Sequence, residues 1–323
     1  MDMFKNFMEL TRGYSLLVTF ASCFAIYSYA HYSPDYDTLH FAILVIALCC
    51  VHLCANLYDD YRDVKRELQK GKKLSEISFS GFRPKARLIL NGTYSIPKVR
   101  YTIGALSVFA ISIGLAFAID GGLPILLYMI AGAILIGLYP YASRYCFAEV
   151  IVGLAFGPLM ITGGYYALVH SFEPNLFILS LAIMFATLTL LHVHSIMDWE
   201  FDIQNGKKTL AIISGSKQNA IKVLAIMVSL PYLIILSGVL LNIFNPKMLY
   251  VFLTLPITTK LIPSMKEYIE VKDVKFIPRW YWGFFENWKT IKEAHLEFFM
   301  FRFYLARNFS FWFALFASIG AIR

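Results

Sequence analysis

Long apolar runs alternate with short polar segments from one end of this 323-residue chain to the other. The first four runs are Tyr14 to Ala30, Thr38 to Leu57, Val99 to Ile119 and Leu123 to Leu138. Five more follow: Phe147 to Val169, Leu176 to Met197, Ala220 to Leu241, Met248 to Met265 and Phe298 to Ile322. Each approaches or exceeds the ~20 helical residues that cross a hydrocarbon core. The runs are too continuous for the roughly ten-residue alternating strands of a barrel, and backbone amides in lipid must find partners within their own segment. The pattern therefore predicts an all-α polytopic membrane protein with nine transmembrane helices. The first run looks like a secretory signal with a candidate cleavage site at Ser28-Tyr29-Ala30, but eight spans follow it, so it reads as an uncleaved first helix.

Composition agrees with the pattern: 58% hydrophobic and 15% charged residues carry more apolar surface than a soluble domain of this length buries. Charge then sets an orientation. The segment 58–98 is crowded with Lys and Arg, whereas the short connections around Asp35, Asp120 and Glu173 carry none. Basic loops stay in the cytoplasm. Lys5 and Arg12 put the N-terminus there too, and an odd number of spans puts Arg323 outside. The net charge of +8 needs no nucleic acid to explain it, because topology and anionic lipid account for it. No Pro-, Gly- or Ser-rich linker divides the chain, so a single transmembrane domain over 1–323 is expected, with inner loops 58–98, 198–219 and 266–296. The last loop mixes Trp280, Tyr281, Trp282, Phe284, Phe285 and Trp288 with basic residues, a composition suited to the headgroup region. The five cysteines lie in or beside apolar runs with no CxxC pair and read as reduced packing residues.

Two acidic clusters, NLYDDYRD and DWEFD, lie at the inner ends of the second and sixth spans. Helical spacing puts Asn56, Asp59, Asp60 and Asp63 on one face, and Asp198 and Asp202 on another with His194 behind them. His52, Asn56 and Asp60 match His194, Asp198 and Asp202 at one constant offset, and each loop then contains a Q-x-G-K-K string, Gln69 to Lys73 and Gln204 to Lys208. Five carboxylates converging from two helix ends repel unless cations are present, and hard oxygen ligands on a water-accessible surface suit magnesium, which bridges to phosphates. Lys85, Arg87, Arg144, Lys207 and Lys208 supply the complementary charges for a diphosphate. The plainer alternative is a pair of solvated helix ends neutralised by nearby Lys and Arg. His192 and His194 are two apart on a helix and cannot share an ion, which leaves His192 to packing. Fingerprints of the commoner soluble chemistries, such as a P-loop, GxSxG or HExxH, are absent.

These residues resemble the UbiA superfamily of intramembrane prenyltransferases. Asp198 to Ala211, DWEFDIQNGKKTLA, is similar to that family's second aspartate motif and the loop after it, and the segment from Asn56 is similar to the first. RLILNGTYS, YPYASR and EVIVGLAFGPLMITGGYY extend the likeness along the chain. The first motif departs from the family pattern at Leu57 and Val64, where acids are usual, and His194, Ser195 and Met197 replace residues common in the menaquinone branch. The FGPLMITGGYY and GKKTLA strings nevertheless look most like 1,4-dihydroxy-2-naphthoate polyprenyltransferases. The resemblance implies Mg2+ held by Asn56, Asp59, Asp60, Asp63, Asp198 and Asp202, with Asp60, Asp198, Asp202 and His194 as the catalytic set. A polyprenyl diphosphate would be the donor and an aromatic ring the acceptor, in a bacterial or archaeal cell membrane with the site facing the cytoplasm. Rival readings are another acceptor (4-hydroxybenzoate, haem, a chlorophyllide or a glycerol phosphate lipid), a cation-coupled transporter, or a member without catalysis.

Overall fold

The computed structural model describes residues 2–77, 86–142, 145–270 and 276–322. Among them there is no β-strand, and eight helices are long and apolar enough to cross a membrane. We number them α1 (Gly13–Ala30), α2 (Thr38–Gln69), α3 (Ile96–Gly121), α4 (Leu123–Ala142), α5 (Ala148–Val169), α6 (Pro174–Met197), α7 (Lys217–Leu240) and α8 (Pro246–Glu270). A short helix, Asp2–Leu10, precedes them. The ninth expected run is also helical, α9 (Glu297–Ala321), but Arg302, Arg307 and Asn308 in its first half make it too polar to count with the eight on composition.

Packing explains that polarity. α9 lies against α1, α6 and α8, so its polar side chains face protein. Arg302 is 1% exposed; its Nε donates to the Ser264 carbonyl at 2.7 Å, a second nitrogen donates to the Phe298 carbonyl, and its guanidinium lies 4.7 Å from the Phe276 ring centre. Asn308 donates to the carbonyls of Trp282 and Phe284 at 2.8 and 2.9 Å, tying the 266–296 loop to the helix. That loop divides: Trp282, Phe285 and Trp288 pack around the buried Phe301, whereas Trp280, Tyr281 and Phe284 stay exposed. α3 and α4 are the reverse case. Few of their residues are buried, as expected where lipid takes the place of a core.

Two departures from regular helix shape the interior. α2 has 32 residues, about 48 Å at 1.5 Å per residue, which exceeds the ~30 Å hydrocarbon thickness and carries its acidic end beyond the apolar region. α5 is interrupted by a π-helical segment, Ala155–Leu159, where Gly157 leaves helical dihedrals (φ −91°, ψ −108°) and Pro158 removes a donor. The freed Phe156 carbonyl accepts a hydrogen bond from Ser22 Oγ at 2.6 Å. Glycine is required there, because a Cβ on residue 157 would stand 2.8 Å from the Ser180 carbonyl oxygen.

The two Q-x-G-K-K strings, whose recurrence the sequence leaves open to chance, take up the same local structure. Each closes a helix with a glycine at positive φ (Gly71, 85°; Gly206, 67°). In each the next residue's amide reaches five residues back, Lys72 to the Glu67 carbonyl at 3.3 Å and Lys207 to the Asp202 carbonyl at 2.9 Å. This is the Schellman arrangement. In both, that lysine then folds its ammonium onto the same acid: Lys72 to Glu67 at 2.8 Å and Lys207 to Asp202 at 2.7 Å.

Candidate active site

A cavity of about 1140 Å³ opens where the C-terminal ends of α2 and α6 meet the N-terminal ends of α1 and α5. From the first cluster Asn56, Asp59 and Asp60 line it, and from the second His194, Asp198 and Asp202. The two acidic motifs therefore share one chamber. Its deeper walls are apolar, with Leu44, Val51, Ile113, Met129, Leu135 and Phe156 among them. Asp63 is buried but does not line the cavity; its carboxylate is 2.8 Å from Arg66. Among the described residues, no three His, Cys, Asp or Glu side chains stand close enough together to hold an ion as they are.

The first cluster is neutralised by Arg12, a residue that the sequence marked only as a topology charge. Arg12 adopts a left-handed backbone (φ 55°, ψ 42°) between the N-terminal helix and α1. That turn aims its guanidinium inward, where one nitrogen donates to Asp60 at 2.8 Å, Asp59 at 3.0 Å and the Asn56 carbonyl at 2.9 Å. Burial works against the guanidinium charge, but the fields of Asp60 and Asp59 outweigh it and hold the proton more tightly than usual. Asn56 donates in turn to Ser15 Oγ at 2.9 Å and to the Thr11 carbonyl at 3.2 Å. His52 is committed on both ring nitrogens, to Ser15 at 2.9 Å and Thr19 at 2.6 Å.

The second cluster is built by α6 and the turn after it. Asp198 caps α6, and the short helix Trp199–Gln204 returns Asp202 beside it. Burial pushes the Asp198 carboxyl up to about 6, with Lys207 pulling the other way, and raises Asp202 by the same cause. His194 Nδ1 lies 3.3 Å from Asp198 Oδ2, and its ring meets Phe299 and Phe303 edge-on. The other oxygen of Asp198, Oδ1, is buried with no partner in the protein. His192 is fully buried and donates from Nε2 to the Ala220 carbonyl at 2.9 Å, a packing role as expected.

The basic residues separate. Arg87 and Lys207 line the cavity, Arg87 held by Glu9 through two hydrogen bonds of 2.7 and 2.8 Å. Lys208 is exposed and outside the lining. Lys85 and Arg144 lie outside the described residues. The departures at Leu57 and Val64 have a physical reason: both are fully buried in an apolar cluster with Leu10, Leu88, Ile89 and Val99. Besides Arg12, sequence reasoning missed Glu149, which lines the cavity at the start of α5. The available signal was an acid at the mouth of an apolar span.

Comparison with known proteins agrees with this geometry. The chain is 24% identical to 1,4-dihydroxy-2-naphthoate octaprenyltransferase of Bacillus subtilis over 275 residues, which is 81% of each chain. The fold matches digeranylgeranylglyceryl phosphate synthase (16% identity, TM-score 0.61, covering 100% of this chain and 99% of that one). It also matches a UbiA homolog from Archaeoglobus fulgidus bound to GPP and Mg2+ (15% identity, TM-score 0.58, 94% and 98%). A family model matches residues 15–271, which takes in both acidic clusters and all eight apolar helices from α1 to α8, and so the chain belongs to the UbiA prenyltransferase family and is an integral membrane enzyme.

Proposed function

We propose that this enzyme is a magnesium-dependent prenyltransferase that moves a prenyl group from a polyprenyl diphosphate to an aromatic acceptor, 1,4-dihydroxy-2-naphthoate in menaquinone biosynthesis. The observation that carries the reading is the single cavity with acids from two helices at its mouth and apolar walls beneath, which pairs a site for a charged headgroup with room for a hydrocarbon tail. The naphthoate acceptor is supported by the Bacillus subtilis relative and by the FGPLMITGGYY and GKKTLA strings.

The residues present fit a divalent cation. Asn56, Asp59, Asp60, Asp198 and Asp202 offer only hard oxygens, and the unpartnered Asp198 Oδ1 is a buried ligand position that nothing in the protein satisfies. Asp63 would act from behind this set. Bound magnesium would supply positive charge to a departing diphosphate. Arg12, Arg87 and Lys207 are held by carboxylates in the free protein, and phosphate oxygens are alternative acceptors for the same N–H groups. Lys208, Lys85 and Arg144 are further candidates for that role. His194 orients Asp198 through Nδ1 and is the candidate to take up a proton at Nε2. The apolar walls keep water away from the allylic carbon as its C–O bond weakens, so that the aromatic ring, and not water, captures it.

Within this reading residues 1–323 form one membrane domain, α9 is a ninth span, and the acidic mouth faces the cytoplasm with the basic loops. The test is prenyl transfer by purified protein with a long prenyl diphosphate, with and without Mg2+, across a panel of 1,4-dihydroxy-2-naphthoate, 4-hydroxybenzoate and a glycerol phosphate lipid. Magnesium-dependent product with the naphthoate supports the proposal. Product with a different acceptor only, or equal rates in EDTA, overturns it.

A further inference from the structure

Two residues that line the cavity each keep one carboxylate oxygen buried without a partner: Asp198 Oδ1 and Glu149 Oε2. The first belongs to the acidic site already described. The second does not. Glu149 is 3% exposed, and its other oxygen is fully engaged, accepting from Ser195 Oγ at 3.1 Å and from the Leu210 amide at 3.1 Å. Those two bonds fix the carboxylate against α6 and against the loop after the second acidic cluster. Oε2 is then the leftover atom of a rigidly held group. A buried acceptor with no donor is costly, and native proteins rarely leave one without a functional partner. Among the other polar groups of the cavity, His52 is bonded at both ring nitrogens and Lys207 is paired with Asp202, while the unpartnered Nε of Arg12 is a donor and so cannot accept from a substrate N–H or O–H.

We infer that Glu149 Oε2 is the hydrogen-bond acceptor for a ring hydroxyl of the second substrate, and so the residue that selects a hydroxylated acceptor. This rests on the aromatic-acceptor reading above. Glu149 sits on α5, whereas the acidic clusters sit on and after α2 and α6, so the three elements divide the labour: two hold the headgroup of the donor and the third holds the polar edge of the ring. A carboxylate accepts and cannot donate, so it favours a hydroxyl or amino substituent and rejects a methoxy group in the same place. A site built to bond a substrate hydroxyl discriminates sharply against analogues that lack it, because its own polar group is then left unpaired.

The substitution that isolates this role is Glu149→Gln. Its amide oxygen can still accept from Leu210 and Ser195, while the second position becomes an NH2 donor. The expected result is a KM for the hydroxylated acceptor raised ~10- to 100-fold, with the KM for prenyl diphosphate within about twofold of wild type. Wild-type enzyme should also bind hydroxy- and amino-substituted acceptor analogues over the methoxy analogue by a similar factor, measured by competitive inhibition, and Glu149→Gln should lose that preference. An unchanged acceptor KM in Glu149→Gln, a parallel rise for both substrates, or the same hydroxy-over-methoxy ratio in both proteins would overturn the inference. Should the variant fail to fold, the wild-type inhibition series decides alone: equal binding of hydroxy and methoxy analogues sinks it. Wild-type enzyme that prenylates no aromatic acceptor overturns the underlying reading as well, whereas normal aromatic prenylation with indifference to residue 149 overturns this inference only.

Discussion

Removing Arg12 tests whether a single side chain holds the first acidic cluster together. In Arg12→Ala, Asp60 and Asp59, 2% and 8% exposed at the side chain, lose a guanidinium that is itself only 24% exposed. Stripping one partner from a buried ion pair costs roughly 3–5 kcal/mol, because the remaining charge stays desolvated. Partial exposure of Arg12 and the other interactions of both aspartates reduce this. A loss of about 3 kcal/mol is a reasonable centre for the range. With an unfolding entropy of about 2.1 cal/mol/K per residue over 323 residues, that corresponds to a fall in Tm on the order of 4 °C, and more if unfolding in detergent leaves helices intact. The assay is thermal unfolding of purified protein in detergent, repeated over a magnesium titration. If the cation occupies the carboxylates that the guanidinium vacates, Mg2+ should raise the Tm of Arg12→Ala more than that of wild type. Arg12→Lys should fall between the two, since its ammonium keeps the charge but ends one bond short of the guanidinium nitrogen that reaches Asp60, Asp59 and the Asn56 carbonyl. An Arg12→Ala variant that melts with wild type would refute the reasoning, and so would a magnesium effect equal in both proteins.

Asp198→Ala and Asp202→Ala should each abolish prenyl transfer while the protein stays in the membrane fraction; wild-type turnover in either would remove the case for magnesium at this site. Lowering the pH through about 6 should protonate Asp198 and weaken magnesium binding, so the stabilisation by Mg2+ expected at pH 7.5 should shrink at pH 5, and an unchanged Tm increment would count against Asp198 as a ligand. Leu57→Asp restores an acid that the family pattern favours but buries it among Leu10, Ile89 and Val99, so lost expression or a Tm drop worth several kcal/mol is expected, with no gain in activity. Gly157→Ala puts a Cβ 2.7 Å from Met184 Cβ and 2.8 Å from the Ser180 carbonyl, a clash costing about 1–3 kcal/mol; equal stability by thermal unfolding would show that the π-segment can shift to accept it.

The all-helical membrane architecture was legible because lipid leaves the backbone few solutions: a run of ~20 apolar residues must be a helix, and its position can be read directly. The acidic motifs were legible for a related reason, since clustered carboxylates at the ends of apolar spans are costly without a cation or base to hold. α9 shows where that logic weakens. Arg302 and Asn308 lower its apolarity, and only their burial against α8 and the 266–296 loop explains how a helix of that composition sits inside the bundle. Residues that act across the bundle were not legible at all. Arg12 lies more than forty positions before the aspartates it neutralises, and Glu149 more than forty before the serine and the amide that hold it. Helical periodicity reports which residues share a face of one helix, but not which face meets which neighbour. The fold decides that, because packing many long helices fixes the contacts between residues distant in sequence, and it is those contacts that convert two charged helix ends into a single enclosed site.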